Sequence, residues 1–133
     1  LVGKLLSGFV SDLFGRKRTW LIFLGLMLVG SLFLLTNSQQ WLFASVACFG
    51  LGWGGNYTLL QAITADAFGT RSLGKVMGAI TVLDAGGGAI GPWITGMLYD
   101  SFGSYIVAFW VIAALITLAI VMALLVPATE TKA

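Results

Sequence analysis

Apolar residues run along this chain in long blocks separated by short polar strings. Such blocks show neither the strict alternation of a half-buried strand nor the single apolar stripe of a surface helix. A stub over 1–13 is followed by four blocks at about 19–35, 41–63, 73–99 and 105–126. Each block reaches or exceeds the ~17–20 residues that cross a ~30 Å hydrocarbon layer at ~1.5 Å per residue. The pattern predicts an all-α, polytopic transmembrane helix bundle. It forms one membrane domain over 1–133, with a partial first helix, four spans and a polar tail at 127–133 that Pro127 opens.

The polar strings alternate in charge. Arg16, Lys17 and Arg18 precede the first span, whereas 36–40 carries no charge. Arg71 and Lys75 flank the next connection, 100–104 holds no cation, and Lys132 lies in the tail. All loop cations therefore fall on one side, which the positive-inside rule makes cytoplasmic. The expected location is a cell membrane, plasma or inner, with the C-terminus on the cytoplasmic side. Trp41 and Tyr105 open spans at the opposite face, where amphipathic rings settle.

Composition strengthens this picture. Hydrophobic residues make up 59% of the chain and charged residues 9%, against roughly a quarter charged in soluble domains. There is no His and a single Cys, Cys48, which reads as a small packing residue. Metal clusters, disulfides and His-based acid–base chemistry are thereby excluded. With no Ser–His or Cys–His pair, the chain is not expected to be an enzyme, and it implies no metal and no cofactor. Three motif matches carry no chemistry. Gly86–Gly91 fits G-x-G-x-x-G but follows no strand. Asn56-Tyr-Thr58 fits a glycosylation sequon inside a membrane span. Arg16–Arg18 is too short a basic run to imply nucleic acid and is explained by topology.

The spans are of two kinds. The first and fourth are uniformly apolar and read as lipid-facing braces. The second and third are rich in Gly and polar residues and read as cavity-lining helices. Small residues four apart, Gly50 and Gly54 or Gly87 and Gly91, allow close helix packing, and Pro92 after Gly91 should bend its helix. The string Asp-x-Phe-Gly closes an apolar helix three times, at Asp12–Gly15, Asp66–Gly69 and Asp100–Gly103. Each Gly supplies a left-handed cap. Each Asp opposes its own helix dipole and needs a cation or another helix's N-terminus nearby.

Two charges lie within apolar segments. Lys4 is eight residues before Asp12, or roughly 12 Å deep, and Asp84 is nine residues after Lys75, or about 13–14 Å deep. Asn56 reaches about 10 Å by the same arithmetic. Uncompensated charge at such depth costs ~3 kcal/mol, so it faces a partner or water. Trp53, Asn56 and Tyr57 share one helical face with Gln61 at its edge, and Thr81, Asp84 and Gly88 share another. Together they would form a polar patch with an aromatic wall, suited to a small organic solute. The structural alternatives stay open: Lys4 snorkelling to headgroups, Asp84 pairing with a helix outside this chain, and Asn56 and Gln61 joining helices.

The string from Gly8 to Arg18, with Gly8, Asp12, Gly15, Arg16, Lys17 and Arg18 at its fixed positions, resembles the G-x-x-x-D-x-x-G-R-[RK]-[RK] loop motif of the major facilitator superfamily of secondary transporters. The segments 65–71 and 91–105 resemble its monocarboxylate and oxalate/formate porter branch. The resemblance implies the end of the eighth helix plus the ninth to twelfth, about two-thirds of a C-terminal six-helix half. The ninth and twelfth helices are then braces, and the tenth and eleventh line the cavity. It implies a secondary active transporter, symporter or antiporter, that works by alternating access on a small monocarboxylate-like anion, with a proton as candidate co-substrate. Asp12 and Arg16 become a cytoplasmic latch against the N-terminal half, a partner expected to be missing because the chain opens inside an apolar helix at Leu1. Lys4, four residues before Gly8, occupies the branch's basic position. It replaces the usual Arg, which loses bidentate geometry. The branch's Lys on the eleventh helix has no counterpart, so a dianion fits less well. The alternative function is a four-span membrane scaffold or assembly subunit without transport activity.

Overall fold

The computed structural model describes residues 2–36 and 38–125. The expected polar tail, with Pro127 and Lys132, lies outside the described residues. Regular structure among the described residues is helical throughout: α1 Val2–Phe14, α2 Arg16–Leu35, α3 Gln39–Phe68, α4 Leu73–Phe102 and α5 Ile106–Leu125. Three of these helices, α2, α4 and α5, are long and apolar enough to cross a membrane. α3 has ample length at 30 residues, but the polar run Asn56, Tyr57, Thr58 and Gln61 dilutes its hydropathy.

The helices run further than the apolar blocks suggest. The Asp-x-Phe-Gly strings are final helical turns, and the basic triplet is the first turn of α2 rather than loop. All three helices that carry the string end in one way. The Gly N–H donates to the carbonyl four residues back, Gly15 to Ser11 at 3.0 Å, Gly69 to Ala65 at 2.9 Å and Gly103 to Tyr99 at 2.7 Å. Gly103 is left-handed at φ 65, ψ 12. Gly15 at φ 82, ψ 151 and Gly69 at φ 72, ψ 161 instead occupy the extended positive-φ region that is essentially restricted to Gly.

The core is an antiparallel α2–α3 pair. Arg16, Trp20, Phe23, Met27 and Gly30 face α3 at alternating steps of four and three residues, the 3.5-residue period of left-handed helix packing. Each meets a successive turn of α3. Arg16 reaches Ala62, Trp20 reaches Asn56, Phe23 and Met27 close over Gly55 and Gly52, and Gly30 abuts Phe49. A Cβ at Gly30 would stand 2.8 Å from the Phe49 backbone nitrogen, so a side chain there would push the helices apart. Phe23, Leu24, Met27 and Leu59 are buried in this seam. α1 docks on α3 through Gly3, whose Cβ would lie 2.6 Å from the Leu51 carbonyl oxygen. α5 packs on the other side of α2 through small residues, with Ala108, Ala113 and Ala123 buried.

α4 stands apart. None of its 30 residues is buried, and every residue from Thr81 to Ile94 is exposed. Pro92 lies inside this helix, where it withholds the N–H that the Gly88 carbonyl would otherwise receive.

Candidate functional site

Three cations at the start of α2 oppose that helix's own dipole. The fold resolves this by sending two of them to the C-terminal ends of other helices. Arg16 forms an ion pair with Asp66 and donates from Nη1 to the Ala62 carbonyl at 3.0 Å. Lys17 donates from Nζ to the Leu124 carbonyl in the last turn of α5 at 3.1 Å. A cation at a helix C-terminus is favourable, and Arg16 also satisfies the Asp66 carboxylate. The first turn of α2 thereby joins the ends of α3 and α5. The second Asp-x-Phe-Gly string finds its cation on a different hairpin from its own.

Asp12 is placed differently. It makes no ion pair among the described residues and is exposed. It lines a cavity of about 170 Å³ between α1 and α3, shared with Ser7, Gly8, Ser11, Arg16 and Thr58. This space is roomy and polar enough to hold water. Arg16 is thus paired with Asp66, whereas Asp12, which lines the same cavity as Arg16, has no ion-pair partner among the described residues.

Deeper along α1, Lys4 Nζ lies over the Tyr57 ring, 5.9 Å from its centroid, within the ~6 Å reach of a cation–π attraction. Ser7 is fully buried one turn away and donates to the Lys4 carbonyl at 2.9 Å. Trp53 is exposed and stacks with Phe49, centroids 6.5 Å apart. Asn56 shares the Tyr57 turn, but its side-chain oxygen accepts the Trp20 indole N–H. That carboxamide is thus engaged with α2. Gln61 is exposed. On α4, Thr81 is exposed and bonds back to the Met77 carbonyl at 2.8 Å, and Asp84 is exposed. Among the described residues, Lys4 and Tyr57 are brought together, whereas Thr81 and Asp84 stand on a helix with no buried residue.

The glycines singled out for packing also divide. A Cβ at Gly54 would lie 3.7 Å from Gly3 Cα, while Gly50, Gly87 and Gly91 meet nothing within 4 Å. The close approaches fall on Gly3, Gly30, Gly52 and Gly55. Spacing by four finds the type of residue but not the face. Glycines are spread around α3 at 50, 52, 54 and 55, so their spacing alone does not say which of them meet α2. Trp20, which no sequence motif singled out, engages Asn56 from the facing side of α2.

A second cavity of about 510 Å³ lies at the opposite end, between the α2–α3 and α4–α5 turns, with Phe33, Leu42, Tyr99, Tyr105 and Phe109 in its walls. Tyr99 and Tyr105 stack with centroids 4.4 Å apart. The α4–α5 turn is thus closed by aromatic rings as well as by Gly103.

Comparison with known proteins agrees with this architecture. Monocarboxylate transporter 14 of Mus musculus is 28% identical over 133 residues, 98% of this chain and 26% of that protein. The probable transporter MCH1 of Saccharomyces cerevisiae is 32% identical over 108 residues, 74% of this chain and 21% of that protein. Monocarboxylate transporter 12 of Xenopus laevis is 32% identical over 114 residues, 82% of this chain and 25% of that protein. The chain therefore spans about a quarter of the length of these relatives. No solved structure gives a significant match. The family model of the Major Facilitator Superfamily matches residues 1–133. With that match over its whole length, and with apolar helices long enough to cross a bilayer, the chain is multi-pass membrane protein and belongs to the Major Facilitator Superfamily.

Proposed function

We propose that this chain is the C-terminal part of a secondary transporter that moves a small monocarboxylate-like anion, coupled to a proton, by alternating access. The observation that carries the reading is Lys4. It lies roughly 12 Å along α1 from Asp12, faces an aromatic ring rather than a carboxylate, and keeps its positive charge unneutralised among the described residues. A cationic side chain at that depth suits a carboxylate cargo. The relatives named as monocarboxylate transporters support the same cargo class. The one-sided loop cations support a cytoplasmic position for the motif turn. The membrane is the plasma or inner membrane.

The other half of such a transporter supplies the remaining wall of the cavity. α4, with Asp84, Gly87, Gly91 and Pro92, presents its exposed length to that half. A 30-residue helix without a buried residue weighs against a self-sufficient four-span scaffold. Asp12 is the latch group, because Arg16 is already paired with Asp66. Lys4 or Asp84 carries the coupled proton, since the chain has no His.

The test is uptake by the full-length protein in proteoliposomes, screened across monocarboxylates, dicarboxylates, sugars and cationic drugs with an imposed proton gradient. Saturable, gradient-driven uptake of short monocarboxylates is expected. Uptake confined to sugars or cations contradicts the cargo assignment, and no uptake of any solute contradicts the transporter reading.

A further inference from the structure

A carboxylate beside Lys4 would neutralise the ammonium and occupy its N–H donors. The ring that faces it does something else. An aromatic face attracts a cation through its quadrupole and leaves the three ammonium donors able to bind acceptor oxygens. The geometry behind this contact is set by glycine. α1 approaches α3 at Gly3, which lies against Leu51, Gly54 and Gly55, and Tyr57 follows within one turn. That close approach is what lets a lysine stem on α1 reach a ring on α3. Tyr57 is itself held in register, because its neighbour Asn56 is bonded to Trp20 and Gly55 is closed over by Phe23.

We propose that Tyr57 is a positioning residue for Lys4, holding the ammonium in place by its ring face without neutralising it. This inference rests on the reading of Lys4 as the carboxylate-binding group. A lysine stem loses considerable rotamer freedom when it is fixed. If the ring fixes it beforehand, the arriving anion bears less of that ordering cost. The aromatic wall then contributes to affinity through ring electronics and not by shape alone.

Two measurements on the full-length protein test this. In the first, Tyr57 is replaced by Phe and then by mono-, di- and trifluorinated phenylalanines, which keep the ring's shape while draining its quadrupole. KM for monocarboxylate uptake should rise stepwise along the series to roughly two- to fivefold, with kcat little changed. In the second, the Lys4 ε-methylene resonance is followed by NMR with isotope-labelled lysine. It should be shifted upfield by the ring current and return to its ordinary position in Tyr57→Leu. A KM that is flat across the fluorinated series, or a Lys4 resonance unmoved by Tyr57→Leu, overturns the proposal. A wild-type protein that takes up no monocarboxylate strikes the cargo reading instead, and the NMR result then decides alone whether the ring holds the ammonium.

Discussion

Separating Arg16 from Asp66 should weaken the bundle by an amount that can be worked from its surroundings. The two side chains are 38% and 27% exposed, so the pair is neither at the surface nor sealed. Exposed pairs contribute ~0.2–1 kcal/mol in double-mutant cycles, and breaking a buried pair costs ~3–5 kcal/mol. A coupling of about 1–2 kcal/mol is expected between those limits. Arg16 also donates to the Ala62 carbonyl, a charge-assisted bond of ~1.5–3 kcal/mol that Asp66 does not share. Arg16→Ala should therefore destabilise more than Asp66→Ala, and the double variant should cost little beyond Arg16→Ala. The assay is a double-mutant cycle on reversible denaturation of the full-length protein in mixed micelles. High salt should shrink the coupling. A coupling within ~0.3 kcal/mol of zero, or an Asp66→Ala more damaging than Arg16→Ala, would refute the reasoning.

Two further expectations concern packing. Gly30→Ala, whose Cβ would meet the Phe49 backbone at 2.8 Å, should lower stability by ~1–3 kcal/mol, while Gly50→Ala, in open space, should leave it unchanged or raised by up to ~1 kcal/mol. Thermal unfolding in one detergent compares them directly. Trp20→Phe should destabilise by ~1–3 kcal/mol by leaving the Asn56 oxygen without its donor, and Trp20→Phe combined with Asn56→Leu should recover part of that loss.

The helices and their ends were largely legible in the residues. Block length set the number of helices, and the three Asp-x-Phe-Gly strings marked the glycine-capped termini of α1, α3 and α4. Which faces meet was harder to read. Gly50 and Gly54 satisfy the spacing by four, whereas Gly52 and Gly55, three residues apart, are the ones that meet α2. The series Arg16, Trp20, Phe23, Met27, Gly30 mixes charge, aromatic, thioether and glycine, so its 3.5-residue period is masked by chemistry. The partner of Asp66 was half visible: both it and Arg16 belong to the basic side, but only the docking of α2 on α3 brings them together. For the candidate site, the common face of Asn56 and Tyr57 was readable from spacing, whereas the Trp20 hydrogen bond that engages Asn56 was not. α4 packs too little against its neighbours for Asp84 to acquire a partner among the described residues.

The central claim is that Lys4 binds the carboxylate of the cargo, and one comparison addresses it most directly: monocarboxylate uptake by the full-length protein as wild type, Lys4→Arg and Lys4→Gln. Removing a charge-assisted contact of ~1.5–3 kcal/mol should raise KM by about tenfold or more in Lys4→Gln. Lys4→Arg, which keeps the positive charge, should keep most of the affinity. A Lys4→Gln protein with wild-type KM and wild-type uptake would contradict the account.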